Sequence, residues 1–297
     1  MLVSSKYLIN KAYHEHFAIG AFNIGETIFA KNVVAVAEEL NAPVILQIYP
    51  LEYELMTSDA ISYILRLAMK ATVPVAVHLD HGRGMDDVTR AIRDQMNSVM
   101  IDASGMEFDA NMNTTKAVVD MAHRVGVAVE AELGSIGDRH QTDATNMGRV
   151  YTEPASAKKF VDHTGVDFLA VSIGTVHGPY PSGANEIRID ILQELNATLQ
   201  LPLVLHGGSN NPDAKIKEAI QNGIAKVNIS TDIKMPYYHA IHDAVEQMPN
   251  DYEPWIITKQ ADKAQRQVIA EKIKLFGSDG KAPLYFTNNN ELTETFH

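Results

Sequence analysis

Val75-Ala76-Val77-His78-Leu79-Asp80-His81-Gly82 is a short apolar run that delivers two histidines and a carboxylate just before a glycine. Bounded by Pro74 and Gly82, it reads as a buried strand of a parallel sheet with its polar cluster at the C-terminal end. Three segments repeat the arrangement: Ala128-Val129-Glu130-Ala131-Glu132 before Gly134, Leu169-Ala170-Val171-Ser172 leading to His177-Gly178, and Leu203-Val204-Leu205-His206-Gly207-Gly208. Four apolar runs each place a metal-capable side chain where a strand ends.

Outward from this stretch, apolar runs alternate with helix-period segments. Strands are expected over residues 18–23, 44–48, 75–78, 98–101, 128–132, 168–172, 203–206 and 225–229. The helices between and after them are expected over 27–40, 58–71, 85–94, 108–124, 154–163, 190–195, 212–221 and 232–246. Eight strand–helix units in about 250 residues is the count and size of a TIM (β/α)8 barrel, whose active sites lie on the C-terminal face of its strands. A short helix over 4–16 precedes the first strand, and its His14-Glu15-His16 reads as a solvated face. An extra C-terminal helix over 260–276 carries an apolar stripe, and 281–297 reads as a polar tail. The expectation is a single domain over 1–297.

The chain has 297 residues, 45% of them hydrophobic, a net charge of −12 and no cysteine. That length supports a large core. The acidic balance argues against a nucleic-acid or anionic-membrane partner, and leaves a small-molecule substrate. Without cysteine, any metal must be held by His, Asp or Glu. No apolar run reaches a membrane span and no signal-peptide core is present, so the expected location is cytoplasmic.

His81, His177 and His206 end the third, sixth and seventh strands, where barrel closure can bring them together. Three imidazoles with an open fourth position is the ligand set of a catalytic zinc. His78 precedes the turn and reads as a supporting residue. Asp80 is the candidate acid/base. Asp102 and Glu132 end strands four and five, placed for an alternate or second metal position or for tuning the histidines.

Gly207, Gly208 and Ser209 after strand seven, with Asn228, Ser230, Thr231 and Asp232 after strand eight, suit a phosphate held by backbone N–H groups and hydroxyls. Metal beside phosphate suggests a phosphorylated hydroxyketone passing through an enediolate. Zinc lowers the pKa of bound water from ~15.7 to ~7, roughly 12 kcal/mol of preference for the anion. A general base typically supplies ~3–5 kcal/mol, so the metal would carry the carbanion and Asp80 a hydroxyl proton.

At these residues the chain resembles the class II, metal-dependent ketose-bisphosphate aldolases, the family of fructose- and tagatose-bisphosphate aldolases. The resemblance runs from about Lys6 to Ala282. It rests on Ala21-Phe22-Asn23, His78-Leu79-Asp80-His81, Glu130-Ala131-Glu132-Leu133-Gly134, Gly174-Thr175-Val176-His177-Gly178, His206-Gly207-Gly208-Ser209 and Lys226-Val227-Asn228-Ile229-Ser230-Thr231-Asp232.

It implies a Zn²⁺ on His81, His177 and His206, with Asp80 as proton carrier at the C4 hydroxyl and Asp102 and Glu132 at the alternate metal position. It also implies a dihydroxyacetone phosphate site at Gly178, Gly207, Ser209, Asn228, Ser230 and Thr231, often with a monovalent cation nearby, and a homodimer or homotetramer.

Departures concern the other end of the substrate. Bisphosphate-acting members usually carry a serine where Tyr49 stands, two residues after Gln47. Their distal-phosphate arginine follows an Asp-Pro, whereas Glu253-Pro254 here precedes Trp255. Asn23 alone remains of that pocket. The loop glutamate after Glu132 is missing, with Asp138, His140 and Asp143 available, and a usual lysine is replaced within Pro179-Tyr180-Pro181-Ser182. Cleavage of a ketose 1-phosphate or bisphosphate is expected, with an aldehyde other than glyceraldehyde 3-phosphate. A sugar-phosphate epimerase or isomerase, a Schiff-base aldolase on Lys226 and a non-catalytic sugar-phosphate-binding subunit remain the alternatives.

Overall fold

The computed structural model describes residues 1–134, 137–138, 150–177 and 187–286, with 137–138 and 176–177 as backbone only. Eight parallel strands close into a barrel in chain order: β1 (Ile19–Asn23), β2 (Val44–Ile48), β3 (Val75–Gly82), β4 (Ser98–Ile101), β5 (Ala128–Leu133), β6 (Phe168–Val171), β7 (Leu203–Leu205) and β8 (Ile224–Ile229). Around them lie α1 (Ser5–His14), α2 (Thr27–Glu39), α3 (Pro50–Lys70), α4 (Met85–Arg93), α5 (Phe108–Ala122), α6 (Pro154–Thr164), α7 (Ile189–Leu199), α8 (Asp213–Gln221), α9 (Thr231–Gln247) and α10 (Pro254–Leu275). This is the expected TIM barrel with an extra C-terminal helix. Among the described residues no helix is long and apolar enough to cross a membrane.

Strand side chains alternate between two faces, and both faces here are covered. The outward set, including Val44, Leu46, Val75, Val77, Val99, Val129 and Ala131, shares one core with the helices. The inward set, including Ile19, Ala21, Ile45, Ala76, Ala128, Phe168 and Val204, forms a second core inside the barrel. Leu8, Ile9 and Ala12 of α1 close that inner core from below. The inward positions turn polar one step further up: Asn23, Gln47, His78, Asp80, Ser98, Glu130, Glu132, His206, Lys226 and Asn228 are all buried. The inner core is therefore apolar below and ionisable above.

The opening stretch departs from a regular strand in an informative way. β3 continues to Gly82, and its register against β4 shifts between Leu79, opposite Val99, and Gly82, opposite Ile101. Three residues of β3 thus span two of β4, a bulge, and His81 sits at a left-handed φ of 48°. Without the extra residue Asp80 and His81 would face opposite sides of the sheet. Gly82 allows the close return: a Cβ there would lie 2.6 Å from the Met100 carbonyl oxygen. Gly82→Ala is expected to destabilise the protein by about 1–3 kcal/mol, the usual range for overpacking, as read by denaturant unfolding. An unchanged unfolding midpoint would show that the bulge relaxes freely.

Three other elements differ from expectation. α3 begins at Pro50 rather than 58, because Pro50 occupies the first helical turn and Glu52 reaches back to the Tyr49 N–H at 3.4 Å. The expected start survives as a kink at Thr57, a β-branched residue at φ 64°. α10 starts at Pro254, where proline again opens a helix. Residues 282–285, assigned to a polar tail, form a packed turn whose Tyr285 is buried and donates its hydroxyl to the Leu8 carbonyl at 3.0 Å.

Candidate active site at the barrel mouth

The bulge in β3 turns Asp80 and His81 into the barrel mouth, where His206 follows β7, Glu132 lies on β5 and Asp102 follows β4. The rings of His81 and His206 are 4.6 Å apart, centroid to centroid. Ligand atoms of Asp80, His81 and His206 lie within 4.8 Å of one another, as do those of His81, Asp102 and Glu132. Five of the residues read from the sequence as ligands or acid/base thus converge.

Each imidazole is held by a carboxylate. His81 Nδ1 lies 2.7 Å from Asp102 Oδ2, and His206 Nε2 lies 2.8 Å from Glu130 Oε1. An ionised carboxylate only accepts, so these nitrogens carry the protons. The opposite nitrogens turn inward, with His81 Nε2 3.9 Å from Asp80 and His206 Nδ1 3.5 Å from Glu132. Asp102 is itself braced by the Ser104 N–H and hydroxyl at 3.1 and 2.7 Å. Carboxylate-backed imidazoles are the usual way a protein fixes metal-binding histidines.

The electrostatics suit a cation. Burial pushes the His81 pKa down, yet Asp80, the hydrogen bond to Asp102 and Glu132 raise it to about 10. The carboxylates around it therefore stabilise positive charge strongly. Burial likewise pushes the Asp80 carboxyl up, but His81, His206, Lys226 and the Asn23 hydrogen bond bring it below its ordinary value. Asp80 accepts from Asn23 Nδ2 at 2.8 Å and Gln47 Nε2 at 3.2 Å on one oxygen, and from Asn228 Nδ2 at 3.1 Å on the other. It is held as a carboxylate ready to take a proton. Two imidazoles and three carboxylates form a donor set that fits a divalent cation.

Beneath the mouth, Lys226 donates to Glu130 Oε2 at 2.8 Å and both are fully buried. A Schiff-base aldolase needs a lysine nitrogen free to attack the substrate carbonyl, and Lys226 Nζ is engaged by Glu130, which argues against that alternative. His78 pairs through Nδ1 with Ser98 Oγ at 2.7 Å, and its pKa is driven well down by burial and then by Lys226. It stays neutral in a supporting position.

Glu130 and Gln47 are functional neighbours that the sequence analysis gave no role. Strand parity with Glu132 could have found Glu130, since positions two apart share the inward face.

The loops after β7 and β8, expected from the sequence to bind phosphate, meet beside this centre. Gly207 has φ 61°, and a Cβ at Gly208 would come within 2.5 Å of Val227 Cγ1. Ser209 is buried, and Ser230 and Thr231 open α9, whose N-terminus favours an anion. Asp232 has another occupation. Its carboxylate accepts the Asn210 N–H at 3.2 Å and pairs with Lys272 at 2.6 Å, joining the two loops and α10. Asp232 thus ties the two loops to α10 at the place where the sequence analysis put it.

The backbone of His177 pairs with Asp138 in a small parallel ladder after β6. Its side chain, that of Asp138, and Gly178, His140, Asp143 and the 179–182 segment lie outside the described residues.

The sequence profile of the family described as "Fructose-bisphosphate aldolase class-II" matches residues 3–281. The solved structure of the "YdjI aldolase" from Escherichia coli K12 is similar, with a TM-score of 0.81 and 37% identity, covering 95% of this chain and 100% of that one. The "Probable fructose-bisphosphate aldolase" of Bacillus subtilis is 37% identical over 95% of this chain and 99% of its own length. The "Sulfofructosephosphate aldolase" of Alkalicoccus urumqiensis is 34% identical over 95% and 99%.

Proposed function

Because the chain belongs to the class II fructose-bisphosphate aldolase family, we propose that it reversibly cleaves a ketose 1-phosphate or bisphosphate into dihydroxyacetone phosphate and an aldehyde, with zinc as cofactor. The observation that carries this reading is Asp80, fixed by three amide donors beside His81 and His206.

A zinc ion held by His81 and His206, with His177 as third ligand and Glu132 or Asp102 as the alternate position, would supply Lewis acidity toward the carbonyl and hydroxyl oxygens of the triose phosphate. Asp102 and Glu130 accept from the outer ring nitrogens of His81 and His206 and so fix the orientation of the ligand imidazoles. Gly178, Gly207, Gly208, Ser209, Ser230 and Thr231 would bind the phosphate, with the α9 N-terminus contributing favourable charge. In cleavage, Asp80 takes the proton of the hydroxyl that becomes the aldehyde oxygen; in condensation it returns it. Asn23, Gln47 and Asn228 hold its carboxylate aligned for that transfer.

The aldehyde is proposed to be other than glyceraldehyde 3-phosphate. Tyr49 stands where bisphosphate-acting relatives carry a serine, and its ring edge faces His81 at 6.3 Å. Two described cations at the neighbouring rim are already paired: Arg83 with Glu54 at 2.6 Å and Asp87 at 2.8 Å, and Lys234 of α9 with Glu52. A distal phosphate that recruited Arg83 or Lys234 would have to break one of these charge-assisted pairs. A homodimer or homotetramer in the cytoplasm remains the expected setting.

Release of dihydroxyacetone phosphate from a panel of ketose 1-phosphates tests the reading, followed with a coupled dehydrogenase. Cleavage is expected to disappear with a chelator and return with Zn²⁺. Cleavage insensitive to chelator, or a change of stereochemistry without triose release, would contradict it.

A further inference from the structure

The charge on Asp80 decides the orientation of every amide around it. Because the carboxylate cannot donate, the ends of Asn23, Gln47 and Asn228 that face it must be NH₂ groups. Gln47 Nε2 has a second acceptor, Asn23 Oδ1 at 2.8 Å, so both of its protons are engaged. Turning this amide over would set its carbonyl against two acceptors at once. Gln47 is therefore locked, and its carbonyl end is the end left for something else.

That carbonyl has no hydrogen-bond partner among the described residues, although Gln47 is fully buried. A buried acceptor without a donor destabilises the protein unless a ligand supplies one. The required chemistry is narrow. A hydroxyl donates; phosphate, carboxylate and sulfonate at neutral pH do not.

Position says which half of the substrate supplies the hydroxyl. The phosphate loops follow β7 and β8, whereas Gln47 lies on β2, paired between Asn23 of β1 and His78 of β3. A substrate anchored on the β7 and β8 loops and reacting at Asp80 continues toward β2 and β3 with its aldehyde half. Tyr49, two residues beyond Gln47, is 37% exposed and offers an aromatic face at the same rim. An amide acceptor beside an aromatic face suits a polyhydroxylated carbon chain.

Resting on the aldolase reading above, we infer that Gln47 is a specificity-determining residue. Its carbonyl accepts a hydrogen bond from a hydroxyl of the aldehyde half, so that the second product is an uncharged polyhydroxy aldehyde. The departure from a distal phosphate and the unsatisfied acceptor then share one cause.

The test is condensation of dihydroxyacetone phosphate with matched aldehydes on the metal-loaded protein. Both enantiomers of glyceraldehyde are compared with 3-hydroxypropanal, lactaldehyde and propanal, which lack one or both hydroxyls, and with glyceraldehyde 3-phosphate. For the wild type, kcat/KM is expected to fall by about 10²-fold or more when the recognised hydroxyl is deleted, because the polar group built to meet it is left unpaired. In Gln47→Met, a similar shape without the amide, that ratio is expected to collapse toward one.

The absolute rate of Gln47→Met will also fall, since Asp80 loses a donor, so the ratio between aldehydes is the readout. Indifference of the wild type to hydroxyl deletion overturns the inference without any variant. So does an equal loss on all aldehydes in Gln47→Met, or a preference for glyceraldehyde 3-phosphate. Solvent exchange of a dihydroxyacetone phosphate proton by the wild type reports separately on the aldolase reading: exchange without hydroxyl discrimination sinks this inference alone.

Discussion

Asp80→Asn is expected to lower kcat for cleavage by about 10²- to 10⁴-fold, the range for loss of a positioned acid/base group, while leaving the fold intact. The geometry separates these two effects. Asn23 and Gln47 both donate to Oδ2, and an asparagine oxygen at that position keeps both bonds. The new NH₂ then faces Asn228, which can turn its own amide and present the carbonyl. The hydrogen-bond network survives with one amide reversed, so the melting temperature should move little.

Asp80→Ala, by contrast, strands buried amide donors at about 1–3 kcal/mol each, and its lower activity would be harder to interpret. Because Asp80 is proposed to serve the hydroxyl of the aldehyde half, Asp80→Asn should impair cleavage far more than proton exchange into dihydroxyacetone phosphate. Retention of a tenth or more of the wild-type kcat would remove Asp80 from the proton path.

Lys226→Met is expected to produce the largest loss of stability, about 3–5 kcal/mol, and a fall in melting temperature on the order of 10 °C. Glu130 is fully buried, and its ionised partner is Lys226 at 2.8 Å. Removing the cation leaves a carboxylate in the barrel interior with only the imidazoles of His206 and His78 beside it. Replacing both residues, Glu130→Gln with Lys226→Met, should recover part of the loss, since no uncompensated charge then remains. Denaturant unfolding of the two single variants and the double variant checks this. A change below about 1 kcal/mol in Lys226→Met would contradict an uncompensated buried charge at Glu130. Borohydride treatment with substrate should leave no adduct on Lys226 in the wild type.

The barrel was legible because each strand announces itself as a buried apolar run, and because the ionisable residues cluster at the ends of those runs. What sequence pattern could not supply is whatever depends on a single local irregularity. Alternation places Asp80 and His81 on opposite faces, and only the bulge against β4 brings both inward. The helix expected from 58 in fact opens at Pro50, and the kink at Thr57 separates its first turns from the periodic stretch that the sequence shows.

The Glu130–Lys226 pair was missed for a different reason. Its members are 96 residues apart, and neither has a local signature beyond strand parity. The pairing of Asp232 with Lys272 was not legible because Lys272 comes from α10, an element the barrel pattern does not include. Gln47 entered only as a marker for Tyr49, and its part became visible once the Asp80 network fixed its amide.

The central claim is that His81, His206 and their carboxylates hold a metal that activates dihydroxyacetone phosphate. NMR of dihydroxyacetone phosphate in D₂O with the metal-loaded protein tests it most directly, because this half-reaction needs no knowledge of the aldehyde. The account predicts stereospecific loss of one C3 proton, abolished by chelator and restored by Zn²⁺. No exchange from a folded, metal-loaded protein, or exchange that persists after the metal is removed, would contradict it.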